Sequence, residues 1–432
     1  MKRLASLMII SVLFLSACVS RGDAVQTAAL PAESENAEET PILLCGNELE
    51  RDAETLRLEG GCDADELRTA LSAMEQLQLV EWQNCPLSTA ERLELRKAYP
   101  ALRFDWTLQL GSVSFSALAE EVDLSAAQKD IPALLELLPL MSAQSVDLSG
   151  WSIGAEDAAA LHEAEPERDF LYTVELFDRS FSSLDTEIDL SDIPMEDTAA
   201  VEAALVFFPK LEKVLMLRCG LDNDTMDALN ARHEGTRFVW LVQVMTLGVR
   251  SDTTYFTIYN AEPLYQPRQP VSNLRYCHDL IAVDLGHCGI SQEDLEFARG
   301  TPKLQFLILA ECYIHDLEPL RCCPELRYLE AFKSYLNDIS ALADCPKLTD
   351  LNLCYIPSLG PDCVPILKEM KQLEHLWFCD ANFSSSLIVE LRDALPDTEF
   401  LYYKGPESTG AGWRTHDIYY EMRDALHMPY MN

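Results

Sequence analysis

The sequence predicts an α/β fold: a curved solenoid with parallel strands on its concave face and helices or short turns on its convex face. Three observations carry this. Residues 304–314 place Leu304, Leu307, Leu309 and Ile314 at interior spacing, with Cys312 where the chain bends. Copies of that stretch begin at Leu280, Leu326, Leu348 and Leu373, so the spacings are 24, 22, 22 and 25. Upstream, a longer unit recurs three times. One such unit cannot bury its apolar face alone, and neighbouring copies must supply the core.

The pattern L-x-x-L-x-L-x-x-C-x-I is the leucine-rich-repeat signature, in which the turn position takes Asn or Cys. Its apolar positions point inward from a short strand and the turn after it. The remaining strand positions point outward.

At 432 residues the chain is long enough for two or three globular domains or for one elongated array. It carries 71 Asp plus Glu against 33 Lys plus Arg, a formal charge of −38. That balance disfavours nucleic acid and anionic lipid surfaces as partners. Residues 1–17 read as a signal peptide, with Lys2 and Arg3 before an apolar run too short to span a bilayer. Residues 18–41 lack aromatic residues and read as a disordered tether.

Residues 42–252 contain the three longer units of about 66 residues. Leu56, Val122 and Ile188 align in the first strand, Val80, Val146 and Val214 in the second, and Phe104, Phe170 and Phe238 in the third. The second and third positions are 24 residues apart in every copy. Ser88 with Glu91 forms a capping box, and Gly154, Asp222, Ser291 and Ser384 occupy the equivalent N-cap position. Asp222-Asn223-Asp224 reads as a helix cap, since the calcium loop's Gly and terminal Glu are missing. Beyond the third strands, Gly111-Ser112 and Asp178-Arg179 predict hairpin turns.

Pro263, Pro267 and Pro270 mark a seam, and residues 253–404 hold the short repeats. Gly405-Pro406-Glu407-Ser408-Thr409-Gly410 ends the pattern. Residues 405–432 read as a C-terminal cap, with Ile418, Tyr419, Met422 and Leu426 on one helix face covering the last apolar layer.

Two resemblances add to this reading. Leu15-Ser16-Ala17-Cys18 resembles a bacterial lipobox, which implies lipidation at Cys18, palmitate-type acyl chains and an extracytoplasmic, membrane-anchored lipoprotein. Residues 275–400 resemble internalin-type repeats, with returning segments at 314–320 and 336–342. That resemblance implies a bacterial surface protein that binds without catalysis. The chain departs from it in Cys at the turn, in acidic charge and in the longer upstream units.

No catalytic constellation is legible. His162-Glu163 begins H-E-x-x-H, but Pro166 stands at the second histidine position. There is no C-x-x-C, and the sequence predicts no metal and no cofactor. Cys85, Cys219, Cys288 and Cys312 fall at the turn position and read as structural thiols. The outward slots of the short repeats are more informative. They hold Phe306, Tyr328, Glu330, Phe332, Asp350, Asn352, Tyr355, His375 and Trp377. A row of exposed aromatics with acidic neighbours predicts a recognition surface for a protein, peptide or glycan. Coverage of the row by a hairpin or the Pro-rich seam is the competing expectation. A structural, self-associating envelope protein and a hydrolase of surface polymers are the alternative functions.

Overall fold

The computed structural model describes residues 42–44, 46–258, 262–263, 268–379, 382–401 and 412–429. Cys18, the signal peptide, the tether and Gly405 to Gly410 lie outside the described residues. Two units are distinguished. One comprises the chain up to Leu56 together with Cys62–Gln78, and the other comprises Arg57–Gly61 and everything from Leu79 onward.

In the smaller unit, Ile42–Leu44 and Asn47–Leu49 form an antiparallel pair, with Ile42 opposite Leu49. Asp63 caps the helix Ala64–Ala73 by accepting the Asp65 and Glu66 N–H groups, and Leu67, Ala70 and Leu71 are buried along one face.

The larger unit is built from parallel strands in the register that the 24-residue interval requires. Val80 lies opposite Phe104. Val122, Val146 and Phe170 form one row, and Ile188, Val214 and Phe238 another. All eight of these side chains are buried. The helices between them start where the sequence expects. Ser88 accepts the Glu91 N–H while Glu91 accepts the Ser88 N–H, and Asp222 accepts the Thr225 N–H. Leu95, Leu161, Leu229 and Leu391 are buried and help seat four of the helices, joined by Ala158, Met226 and Ile388 on three of them.

Each third strand continues into an antiparallel hairpin. Leu110 pairs with Val113 around Gly111-Ser112, as expected. Leu176 pairs with Arg179, so the second turn is Phe177-Asp178, one residue earlier than the sequence suggests. Both turn residues have positive φ, 52° and 59°, the geometry that matches a tight hairpin to the strand twist. A third hairpin pairs Leu241–Val244 with Leu247–Arg250.

A seven-stranded parallel sheet follows. Phe256, Val283, Leu307, Leu329, Leu351, Leu376 and Phe400 form its central row. Its first strand, Tyr255–Phe256, precedes the Pro-rich segment, and the ladder resumes beyond it without changing direction. Phe256 lies 18 residues after Phe238, as Val122 lies 18 after Phe104 and Ile188 18 after Phe170. The short repeats therefore continue the logic of the long units.

The opening stretch behaves as its pattern demands. Leu304, Leu307, Leu309, Cys312 and Ile314 are fully buried. The Cys312 thiol donates to the Leu285 carbonyl of the preceding repeat at 3.3 Å. Ser334, one repeat on, donates to Leu309 O at 2.8 Å, and Cys219 donates to Leu190 O at 3.3 Å. Trp151 uses its indole N–H for the same task, reaching Leu124 O at 3.0 Å. Different side chains thus supply one function: a donor that satisfies a buried carbonyl between repeats. This repeated geometry makes the larger unit a leucine-rich-repeat solenoid.

Candidate functional site

The two outward rows of the seven-stranded sheet are fixed by register. One runs Tyr255, Ala282, Phe306, Tyr328, Asp350, His375, Glu399, and the other Asp284, Ile308, Glu330, Asn352, Trp377, Leu401. The structure brings Phe306, Tyr328, Glu330, Asp350, Asn352, His375 and Trp377 together on one face, as the sequence reading placed them.

Their exposure differs from expectation. Phe306, Tyr328, Glu330, Phe332, Asp350, Asn352 and Trp377 are buried, and Tyr355 and His375 are half-buried. Among the described residues, no hairpin covers them. The cover is the C-terminal segment: Trp413 and the helix Asp417–Ala425 with its C-cap Leu426. Ile418, Tyr419, Met422 and Leu426 share one apolar cluster with Phe306, Ile308, Tyr328, Phe332 and Trp377. The apolar helix face was legible, but its destination was not. It packs across the strands rather than over the end of the stack.

Contacts along the segment trace its path. His416 sits edge-on to Trp377 with ring centroids 5.2 Å apart. Trp413 packs beside Phe332 at 5.8 Å. Glu421 pairs with Arg327 at 2.8 Å. His427 stacks on Tyr255 at 4.3 Å. The segment therefore runs back from the sixth strand to the first.

The packing is apolar at its centre and incompletely satisfied in its polar groups. Asn352 Nδ2, Trp377 Nε1, Trp413 Nε1 and Arg423 Nε are buried without a hydrogen-bond partner among the described residues. A buried donor without a partner costs about 1–3 kcal/mol. A cavity of 230 Å³ remains beside the helix, lined by Asp284, His287, Glu330, Arg414, Tyr419 and Arg423 among others. Burial raises the Glu330 carboxyl above the usual carboxylate range, opposed by the Tyr328 hydroxyl that donates to it at 2.9 Å. Burial also raises Asp284, opposed by the Gly286 N–H.

Tyr355 lies at the rim, at the same turn position as His287, Glu311 and Lys333, all with positive φ. Glu311 accepts from Lys333 Nζ at 3.0 Å and lies 3.2 Å from His287 Nδ1. Those contacts, the Lys333 bond foremost, hold its carboxyl below the usual range. Sequence reasoning found the floor of the site and missed Trp413, Arg414, His416 and Arg423. Only the amphipathic spacing of 418–426 pointed toward them.

No protein-family model matches the chain, and no curated protein matches it. Solved structures similar to it include an internalin C2 from Listeria monocytogenes, 19% identical over 32% of this chain and 68% of that one, with a TM-score of 0.25. A leucine-rich-repeat protein of Leptospira interrogans is 13% identical over 77% of this chain and 91% of that one, with a TM-score of 0.27. The leucine-rich-repeat ectodomain of an Arabidopsis thaliana receptor kinase is 10% identical over 81% of this chain and 38% of that one, with a TM-score of 0.24. Among the described residues no helix is long and apolar enough to cross a membrane.

Proposed function

We propose that this chain is a surface binding protein, lipid-anchored through Cys18, whose short repeats take a protein, peptide or glycan on their concave face. An amphipathic peptide helix is the ligand form the face suits best. The observation that carries this reading is the groove's present occupant. A short helix with four apolar anchors fills it, yet leaves Asn352 and Trp377 donors unpaired beneath it. A face that accepts one amphipathic helix can accept another that pairs these donors better, and the helix-in-groove mode reads anchors at i, i+3, i+4 and i+7, the spacing that Tyr419, Met422 and Leu426 (i, i+3, i+7) and the Ile418–Met422 pair (i, i+4) follow. The Leu15-Ser16-Ala17-Cys18 stretch supports the anchoring.

The test uses a labelled peptide of residues 412–429 and the full-length chain carrying Ile418→Asp and Met422→Asp, which drives its own segment off the face. The peptide should bind this variant, bind the unmodified chain far more weakly, and lose binding when Trp377→Ala is added. Failure to bind the doubly substituted chain would sink the groove reading. Cys18→Ser should abolish acyl labelling, and labelling that persists would remove the anchor.

A second reading, self-association, is favoured by one separate feature. Tyr313 and Tyr335 are exposed and stacked, with centroids 5.6 Å apart. Sedimentation of the unmodified chain against a Tyr313→Ser, Tyr335→Ser variant tests it. Identical monomeric behaviour of both would leave that pair without this role.

A further inference from the structure

Register sets Asp350, His375 and Glu399 side by side on three adjacent strands. The C-terminal segment then brings His416 against them, its ring 4.3 Å from that of His375. One ligand atom from each of His375, Glu399 and His416 lies within 4.8 Å of the other two. Asp350 is buried, and its Oδ1 is 2.7 Å from His375 Nδ1. With Nδ1–H donating to that carboxylate, the neutral imidazole would present the lone pair of Nε2 to a ligand. Glu399 Oε2 is 3.9 Å from that Nε2.

We infer that His375, His416 and Glu399 form a binding site for a zinc-class divalent ion, with Asp350 as the carboxylate that orients His375. Two imidazoles and one carboxylate suit zinc and its borderline neighbours. Magnesium and calcium need oxygen-rich shells that this set does not supply. The carboxylate–histidine–metal relay is the arrangement that fixes a ligating imidazole's tautomer and ring plane. Tetrahedral zinc with bonds of ~2.0–2.1 Å places its ligand atoms roughly 3.3 Å apart. The three donors must therefore close by about 1.5 Å at most. The side chain of Glu399 is more than half exposed and can move, while His375 is held by Asp350. Buried Trp377 forms the floor beneath His416, and the exposed side at Glu399 leaves a fourth position for water.

The ion would join two strands of the solenoid to the segment lying across them, so it would pin the start of the helix Asp417–Ala425. This inference needs only that the segment lie where it does, and it stands whether or not the groove takes a partner.

The experiment is calorimetric titration of metal-stripped, full-length protein with Zn²⁺, alongside Mg²⁺ and cobalt(II) spectroscopy. One Zn²⁺ should bind per chain, with Mg²⁺ far weaker. His416→Gln and Glu399→Gln should each weaken binding strongly, and Asp350→Asn by roughly 10–100-fold through loss of the orienting partner. Glu399 is exposed, so its substitution keeps the test valid if His416→Gln disturbs the segment. The cobalt(II) complex should show no thiolate charge-transfer band. The inference is overturned by absent Zn²⁺ binding, by affinity unchanged in both the His416 and Glu399 variants, or by a thiolate band, which would move the ion to the cysteines.

Discussion

The long units and the short repeats share one strand register but differ in what lies over their outward face. In the long units, Glu121-Val122-Asp123 and Glu187-Ile188-Asp189 alternate exposed, buried, exposed. In the short repeats, Phe306-Leu307-Ile308, Tyr328-Leu329-Glu330 and Asp350-Leu351-Asn352 are buried throughout. The inward residue is apolar in both, so the core does not distinguish them. The outward slots differ: Glu121, Asp123, Glu187 and Asp189 are exposed carboxylates, whereas Phe306, Ile308, Tyr328 and Trp377 interleave with polar groups beneath the C-terminal segment. Burying those slots removes apolar area from water at about 25 cal/mol per Å², which is what holds so short a helix in place.

The largest expected break in this contrast is Trp377→Ala. It removes the floor of the covered face and should cost about 3–5 kcal/mol in denaturant unfolding, with the segment losing exchange protection first. A loss no greater than that of an exposed residue would show that the cover contributes little.

Acidity should separate the two regions in opposite directions. Glu330 and Asp284 have carboxyls raised by burial. A raised acid binds more protons folded than unfolded, so the covered face is tightest below the ordinary carboxylate value and loosens as pH rises through the raised values. Glu202, in the long units, is held down to about 2 by Arg232, Thr198 and His233. Its contribution is full above the ordinary value near 4.5 and is lost as pH falls toward 2. Amide exchange, corrected for its intrinsic pH dependence, should show the segment opening toward neutral pH and the Glu202 region opening toward acid. Parallel changes in both would contradict this.

A smaller effect tests what the regions share. Ser334→Ala leaves Leu309 O without its donor and should cost roughly 1 kcal/mol. Cys219, which makes the equivalent bond in the long units, should respond alike when changed to Ala. A large difference between the two would mean that the inter-repeat bond does not serve both regions equally. The smallest effect belongs to the open face. Lys213→Ala breaks a half-exposed ion pair with Glu187 and should stay within about 0.5 kcal/mol by thermal unfolding.

Much of this was readable in the chain. The 24-residue interval from Val80, Val146 and Val214 determined register, because a parallel ladder tolerates no slip without turning side chains over. Ser88, Asp222 and Ser384 announced their helices because a cap is a local bond within a few residues. The Phe177-Asp178 turn was missed by one position, since strand alternation does not mark where φ turns positive. The face formed by Phe306, Tyr328 and Trp377 was also readable, being a matter of period alone.

What occupies that face was not. The sequence by itself determined the repeat, its register, its buried leucines and the amphipathic spacing of Ile418, Tyr419, Met422 and Leu426. Tertiary structure alone decided that those four residues cross the strands, that the aromatic row is closed, and that His416 meets His375 and Glu399. The reason is physical. Local periodicity fixes which side of an element is apolar, whereas the partner of that side is chosen among every apolar surface that the folded chain leaves within reach.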